Sequence, residues 1–508
     1  MLSPSTILAA GILLTLILYH RRRRSPLPPG PPRLPLIGNL HQAPKKTPWL
    51  TFQSWVRQYG PLVSLDMGGQ IVILVGSYET AKDLLDKRAS IYSSRPRMVF
   101  GFELVCKGLH LMLRPYGEEF LARQRLEAPV LSPRASATYM PIQDVESLAL
   151  VKRLMGDGDL AELLEVFTTS TMYSLAYGQR ILTGKEWQVK TAHEVLDNFV
   201  QAFQVGTWIV DALPFLKHLP KAPWTKTAEA WHELPDKLFK ADYEAALERK
   251  SWNWTKEFKK SKEAEGMSEK ELRWELGVLV AAGIETTMTT MRIAILALLQ
   301  HPHVIEKAQK ELDNMVGNDR LPGYDDLEKL PYLQAILEEN FRWRHIAPCG
   351  IPHATTKDDH YNGYFIPKGS TIVPMFKSMR EDETLFDAPW EFRPERWLGK
   401  TQINNWGYGR RVCPGRFIAK NSLGIALARI LWTFNVNWKD GKQADVGESF
   451  FVDGVVSAPM PFQAVFEPRS EKHRMIVERE HDNADKDVDS LLEKVHTKQV
   501  AAGLNPCV

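Results

Sequence analysis

The chain has 508 residues, 44% of them apolar, with 64 Lys and Arg against 61 Asp and Glu for a net charge of +3. That length and apolar content can bury a large core, while the near-neutral balance, with no Lys/Arg stripe interleaved with aromatics, argues against nucleic acid as a partner. Four widely spaced cysteines, Cys106, Cys349, Cys413 and Cys507, make no disulfide framework in so long a chain and fit a reducing compartment.

In chain order, the first feature is an apolar run at residues 7–19, "ILAAGILLTLILY", followed by "RRRR" at 21–24, with no Asp or Glu before Asp66. With its flanks the run reaches the ~20 residues that span a bilayer. Its charge follows the apolar run, the reverse of a secretory signal, and the positive-inside rule places everything after Arg24 in the cytosol. A single-pass anchor over residues 1–20 is therefore expected. The basic, proline-rich stretch 21–39 ("SPLPPGPPRLPLIGN" from residue 25) cannot form helix or a central strand and reads as a stiff, extended linker.

"LVSLDMGGQIVILVGS" at 62–77 reads as a hairpin around Gly68-Gly69. From there to about residue 345 helical patterns dominate, with no repeat and no low-complexity break, so residues 40–466 are expected to form one catalytic domain. Residues 268–302 predict a helix of ~50 Å. Ser268 and Glu271 form a capping-box signature, and Pro302 closes the segment. Its middle, "AAGIETT", interrupts an apolar surface with small residues that would let something bulky lie against it. Pro331 opens a second helix, "LPYLQAILEENFRWR". Short strands follow in "HYNGYFIPKGSTIVPMF", and helix returns after Pro414 in "GRFIAKNSLGIALARILWTF". Residues 467–508 are highly charged and read as a solvated extension with a frayed helix and no assigned function.

Chemistry concentrates at "NWGYGRRVCPGRF", residues 405–417. With Pro414 at the first helical position, Cys413 would sit at a helix N-terminus, where the dipole and free N–H groups favour a thiolate. Arg410 and Arg411 add positive charge, and Gly407, Gly409 and Gly415 let backbone approach something flat and large. Together these features describe the proximal side of a haem, with the sulfur on iron.

"WGYGRRVCPG" resembles the haem-binding signature of the cytochrome P-450 family, Phe-Gly-x-Gly-x-Arg-x-Cys-x-Gly, with Trp406 in place of phenylalanine and the other five fixed positions matched. The resemblance runs from the proline linker to about residue 466. It implies a mainly α fold with a smaller β region, the cytochrome P-450 fold, carried on the single N-terminal transmembrane helix. It also implies haem b (iron protoporphyrin IX) ligated by the Cys413 thiolate. "ENFR" and "FRPERW" supply Glu339, Arg342 and Arg396, which the resemblance assigns to a cluster bracing the cysteine loop. "AAGIETT" matches the distal-helix pattern, with Glu285 the acid and Thr286 the alcohol that relay protons to dioxygen; Thr287 is the lesser candidate. Arg411, His353 in "GIPHATT" and Arg95 in "YSSRPR" are similar to residues that pair with the haem propionates.

One departure stands out. Relatives carry Trp-x-x-x-Arg before the first long helical region, and both residues bond a propionate. This chain places Phe120 and Gln124 there. Phe120 lacks the N–H donor and Gln124 the charge, which would weaken haem retention unless Arg123 or Arg125 compensates.

No flavin or nicotinamide fingerprint is present, so electrons come from outside. The resemblance implies a membrane-bound NADPH-cytochrome P-450 reductase, docking on a basic patch of Arg123, Arg125, Arg410 and Lys420. Apolar segments at roughly 97–113, 199–224, 278–290, 346–352 and 453–459 are expected to line the pocket and suggest a lipophilic substrate taken with O2. The style of the chain is similar to fungal enzymes of secondary metabolism acting on indole alkaloids or polyketides. The expectation is a haem-thiolate monooxygenase on the endoplasmic reticulum membrane, its catalytic domain cytosolic. Two alternatives are a family member that desaturates, couples or rearranges its substrate, and an anchored haem or lipophile binder without turnover.

Overall fold

The computed structural model describes residues 26–204, 206–219, 222–399, 403–452 and 454–507. The anchor expected over residues 1–20 and the arginines at 21–24 lie outside them. The described residues divide into two compact units, those up to Pro96 with 349–379 and those of 97–348 with 380 onward.

The first unit carries helix α1 (Pro48–Tyr59) and strands β1 (Leu62–Met67), β2 (Gln70–Val75), β3 (His353–Ala354), β4 (Asp359–Tyr361), β5 (Tyr364–Ile366) and β6 (Thr371–Pro374). The expected hairpin forms, β1 pairing antiparallel with β2 from Leu62↔Val75 to Met67↔Gln70. The sheet order is β1-β2-β6-β3, with β6 parallel to β2 and β3 antiparallel to β6, while β4 and β5 make a separate hairpin. Trp49 of α1 packs with Val63, Leu65, Leu74 and Met375 to form this unit's core. The proline stretch is strapped to β1 instead of standing off as a spacer. Its prolines have no N–H to donate but keep their carbonyls. Pro29 O accepts from Ser64 N at 2.9 Å, and Pro31 and Pro32 O accept from the Asn39 side chain at 3.2 and 3.1 Å. Asn39 N in turn donates to Asp66 O at 2.6 Å.

The second unit is helical. Its longer helices are α2 (Glu118–Leu131), α3 (Met140–Leu154), α4 (Leu160–Tyr177), α5 (Trp187–Ala202), α6 (Pro223–Glu248), α7 (Glu269–Gln300), α8 (Pro302–Met315), α9 (Pro331–Trp343), α10 (Arg416–Thr433), α11 (Glu471–Asn483) and α12 (Val488–Ala501). Strands β7 (Phe434–Trp438) and β8 (Ala464–Pro468) pair antiparallel. The long helix runs as its caps predict. The Ser268 side chain accepts from Glu271 N and the Glu271 carboxylate returns a bond to Ser268 N. Among the described residues α7 is the one helix long and apolar enough to cross a membrane. It is the central core helix here, packed through Met291, Ile295 and Leu296 against Phe167 of α4, Ile336 of α9 and Leu427 of α10.

The last forty residues correct the expectation of a solvated extension. Leu491, Leu492 and Val495 of α12 are buried in one cluster with Ile142 and Val145 of α3 and with Trp252 and Trp254. Lys152 pairs with Glu478 at 2.9 Å, and Cys507 N donates to Glu257 Oε2 at the same distance. Charge on the outer faces of α11 and α12 concealed an apolar inner face. Leu492→Ala is expected to lower the unfolding free energy by about 2–5 kcal/mol in a denaturant titration. A variant as stable as the parent would show that the docked face contributes nothing.

Candidate functional site

Cys413 lies in the loop that leads into α10. The helix begins at Arg416 with Gly415 as its cap, so Pro414 precedes the cap instead of taking the first helical position. The chemistry expected of a helix start survives this shift, because the N–H groups of Gly415 and Arg416 both point at the cysteine sulfur and favour its charged form. Burial wins over them and over the Arg416 charge, pushing the thiol up to about 11. A thiol so placed ionises when a metal takes it, since a coordinated thiol loses its proton outright. The loop itself is held by backbone: Cys413 N donates to Trp406 O at 2.7 Å. Gly407 and Gly409 have φ of 89° and 56°, so their glycines answer to the left-handed turn of the chain.

The two departures in α2 have contacts of their own. The Arg411 guanidinium lies over the Phe120 ring, 3.7 Å from its centroid, a cation–π seat in a desolvated setting. Gln124 Nε2 donates to Arg410 O at 3.3 Å. Both residues therefore tie α2 to the cysteine loop. Arg411 Nη2 donates to Arg114 O at 2.7 Å, and burial pushes the guanidinium down to about 10. Arg114 is itself buried, bonded to Glu119 and to Gly108 O, with its Nε enclosed and without a hydrogen-bond partner. Motif reading passed over it, since a lone arginine six residues before an aromatic carries no pattern.

Of the proposed substitutes for the missing charge, Arg125 is on the exposed face of α2. Arg123 is buried at 3% exposure, donating to Glu271 at 2.6 Å and facing Glu275 at 3.4 Å. Buried so, Arg123 cannot belong to a surface patch. Lys420 pairs with Glu338 at 3.0 Å, which leaves Arg125 and Arg410 as the exposed cations of that set.

On α7, Ala281 and Ala282 are exposed and residues 283–286 half-buried, in a helix buried before and after them. Space thus opens against its middle, where the sequence places its smallest side chains. Thr286 Oγ1 donates to Ala282 O at 2.6 Å, the usual bond of a helical threonine, which leaves its oxygen able to accept. Thr289 Oγ1 donates to Glu285 Oε1 at 3.3 Å, and burial raises the Glu285 carboxyl above its ordinary value.

Glu339, Arg342 and Arg396 come together as expected. Arg342 grips both Glu339 oxygens at 2.8 Å, from Nε and Nη2, with neither side chain exposed. Arg396 Nε, Trp397 Nε1 and Arg393 N add bonds to the same carboxylate at 3.3, 2.9 and 2.8 Å. The other face of Arg342 donates to the carbonyls of Arg380, Pro389 and Glu391.

Arg95 and His353 lie together in the first unit. Arg95 Nη1 donates to Ile351 O and Pro352 O at 3.0 and 2.7 Å, and His353 Nδ1–H donates to Tyr92 O at 2.8 Å. The second unit holds Cys413, Arg411, Glu285 and Thr286.

These residues fit a haem. They offer a half-buried thiol with two N–H groups on its sulfur, a half-buried cation two residues before it, and small residues midway along the core helix. They also offer the Trp406 indole N–H, enclosed and without a hydrogen-bond partner.

The family model described as Cytochrome P450 matches residues 28–466. The chain is 41% identical to the cytochrome P450 monooxygenase drtD of Aspergillus calidoustus, over 93% of this chain and 92% of that protein. It is 38% identical to the monooxygenase aneD of Aspergillus aculeatus, over 95% of each. It is 37% identical to the monooxygenase FrzL of a Cladobotryum species, over 94% and 95%.

Proposed function

The chain belongs to the cytochrome P450 family, and from that premise we propose that it oxidises a lipophilic small molecule in a step of fungal secondary metabolism, with an indole alkaloid or a polyketide as the favoured substrate class. Members of the family are oxygenases that use haem b on a cysteine thiolate, a redox-partner reductase and O2. The observation that carries the site reading is the Cys413 sulfur with the Gly415 and Arg416 N–H groups aimed at it.

Bound through Cys413, the haem supplies the activation of dioxygen that puts one oxygen atom into a C–H bond and the other into water. The chain's own residues do the rest. The two N–H groups hold the charge of the sulfur. Arg411, seated on Phe120, is the cation for a propionate, with Arg95 and His353 as the first unit's candidates for the same task and Arg125, exposed, the weakest. Ala281 and Ala282 give the group its space. Glu285, whose carboxyl burial raises above its ordinary value, is the acid of the site. Thr286 accepts a hydrogen bond from water and keeps it in reach of that acid. Glu339, Arg342 and Arg396 act as scaffold.

Residues 1–20 are proposed as a single-pass anchor in the endoplasmic reticulum membrane, joined to the body by the basic, proline-rich stretch 21–39, whose later part is strapped to β1. Residues 40–466 are then a cytosolic catalytic domain served by NADPH-cytochrome P450 reductase, with 467–508 docked upon it. Reduced protein treated with carbon monoxide should absorb at the thiolate-ligated position; its absence would sink the haem-thiolate reading. Comparing metabolites of the source organism with and without the gene then identifies the substrate. A product heavier by one oxygen supports hydroxylation, and one lighter by two hydrogens assigns desaturation instead.

A further inference from the structure

Glu165 and His193 belong to no motif, yet the charge of each acts on Glu285. Met172 of α4 packs on α7 at Gly283, where a Cβ would lie 2.7 Å from its Sδ. At the other end of that contact the Asp159 charge acts on Arg292. The two helices therefore run antiparallel. Glu165, between Asp159 and Met172, comes level with the turn of α7 that carries Glu285 and Thr289, given the 1.5 Å rise per residue. His193, on α5, shares a hydrogen bond between its Nε2 and Glu165 Oε1. Exposure rises outward along the line, from a Glu165 side chain at 17% to His193 at 55%.

We propose that Glu165 and His193 form the outer half of a proton route: His193 takes protons from solvent, Glu165 passes them across the α4–α7 contact, and Glu285 delivers them where dioxygen is consumed. The proposal rests on the reading of Glu285 and Thr286 as the acid and alcohol of the site. Each turnover takes two electrons from the reductase and two protons, and one oxygen atom leaves as water. Every proton that leaves Glu285 is replaced from Glu165, which is reloaded by the His193 imidazolium, which recovers its proton from bulk water. The charges around the line suit this traffic. Glu165, Asp197 and Glu285 face His193 and hold its proton to higher pH, the Glu165 bond most of all. Arg292, which donates to Pro459 O at 2.8 Å, and Glu165 face Glu285. A surface His–Glu pair kept only for stability would contribute little and leave proton supply untouched.

The test uses the full-length, haem-loaded protein with NADPH, O2 and a cytochrome P450 reductase, without added substrate. NADPH oxidation and hydrogen peroxide yield are read in H2O and D2O across the neutral pH range. Glu165→Gln is expected to slow oxidation about tenfold or more, less than the ~10²–10⁴-fold for loss of the positioned proton donor itself, and to enlarge the solvent isotope effect. Glu165→Asp is expected to recover most of the rate. His193→Ala is expected to lose the histidine inflection from the pH profile. An intact carbon monoxide band and melting temperature show that each variant is folded. Glu285→Gln is the internal reference. If it is slow while Glu165→Gln and His193→Ala stay within twofold of the parent, the outer route is wrong and the reading of Glu285 stands. If Glu285→Gln also oxidises NADPH as the parent does, both fall.

Discussion

Replacing Cys413 by serine is expected to abolish the thiolate-type carbon monoxide band and to cut turnover by three orders of magnitude or more, about 4 kcal/mol on the barrier. The loop itself should survive, because the bond that closes it runs from Cys413 N to Trp406 O and involves no sulfur. What serine cannot do is ionise: an alcohol lies far above a thiol, and here burial already pushes the thiol up to about 11. The Gly415 and Arg416 N–H groups would then face a neutral hydroxyl and have no charge to hold. Spectroscopy of the folded variant therefore separates ligation from folding. A thiolate band persisting in Cys413→Ser would move the ligand to another cysteine, and Cys106, wholly buried, and Cys507, on Glu257, are the poorest replacements.

Arg342→Ala is expected to cost about 3–5 kcal/mol of folding free energy, the range for removing one partner of a buried ion pair. The loss is large because two networks fail at once. Glu339 stays buried with Arg396, Trp397 and the Arg393 N–H to share its charge, while three carbonyls from residues 380–391 lose their donor. Arg342→Lys should rescue little of this, since an ammonium cannot present a planar fork to the carboxylate and still reach those carbonyls. Denaturant unfolding and the yield of haem-loaded protein measure the effect. A variant within ~1 kcal/mol of the parent would reduce the cluster to an ordinary ion pair.

Much of this was legible in the sequence because local rules and global packing agreed. Ser268 and Glu271 announced the start of α7, Pro331 that of α9, and Gly68-Gly69 the hairpin, each through a short-range mechanism that tertiary contacts had no cause to override. The loop that carries Cys413 was legible through spacing. The balance of forces on its thiol was not, because the helix-start argument weighs N–H groups and dipole but cannot see burial, which pushes the thiol up. Arg123 failed as a surface cation for the same reason: its charge is visible in the sequence, and its partners Glu271 and Glu275 are some 150 residues away. Phe120 and Gln124 looked like losses while only a cofactor was considered. Their contacts with Arg411 and Arg410 lie across α2 and the cysteine loop, a pairing no single segment reveals. The α12 face was readable and overlooked. Val488, Leu491, Leu492 and Val495 repeat at helical spacing, and Asp487 caps them by accepting from Ser490 N, but the surrounding charge dominated the composition.

The docking of α12 on α3 also bears on how the protein is made. Ile142 and Val145 leave the ribosome some 350 residues ahead of Leu491, Leu492 and Val495, which share their cluster. At ~5–20 residues per second that interval lasts roughly 20–70 seconds. For that time a nascent chain presents an apolar helix face without its cover, beside whatever chaperones attend the ribosome.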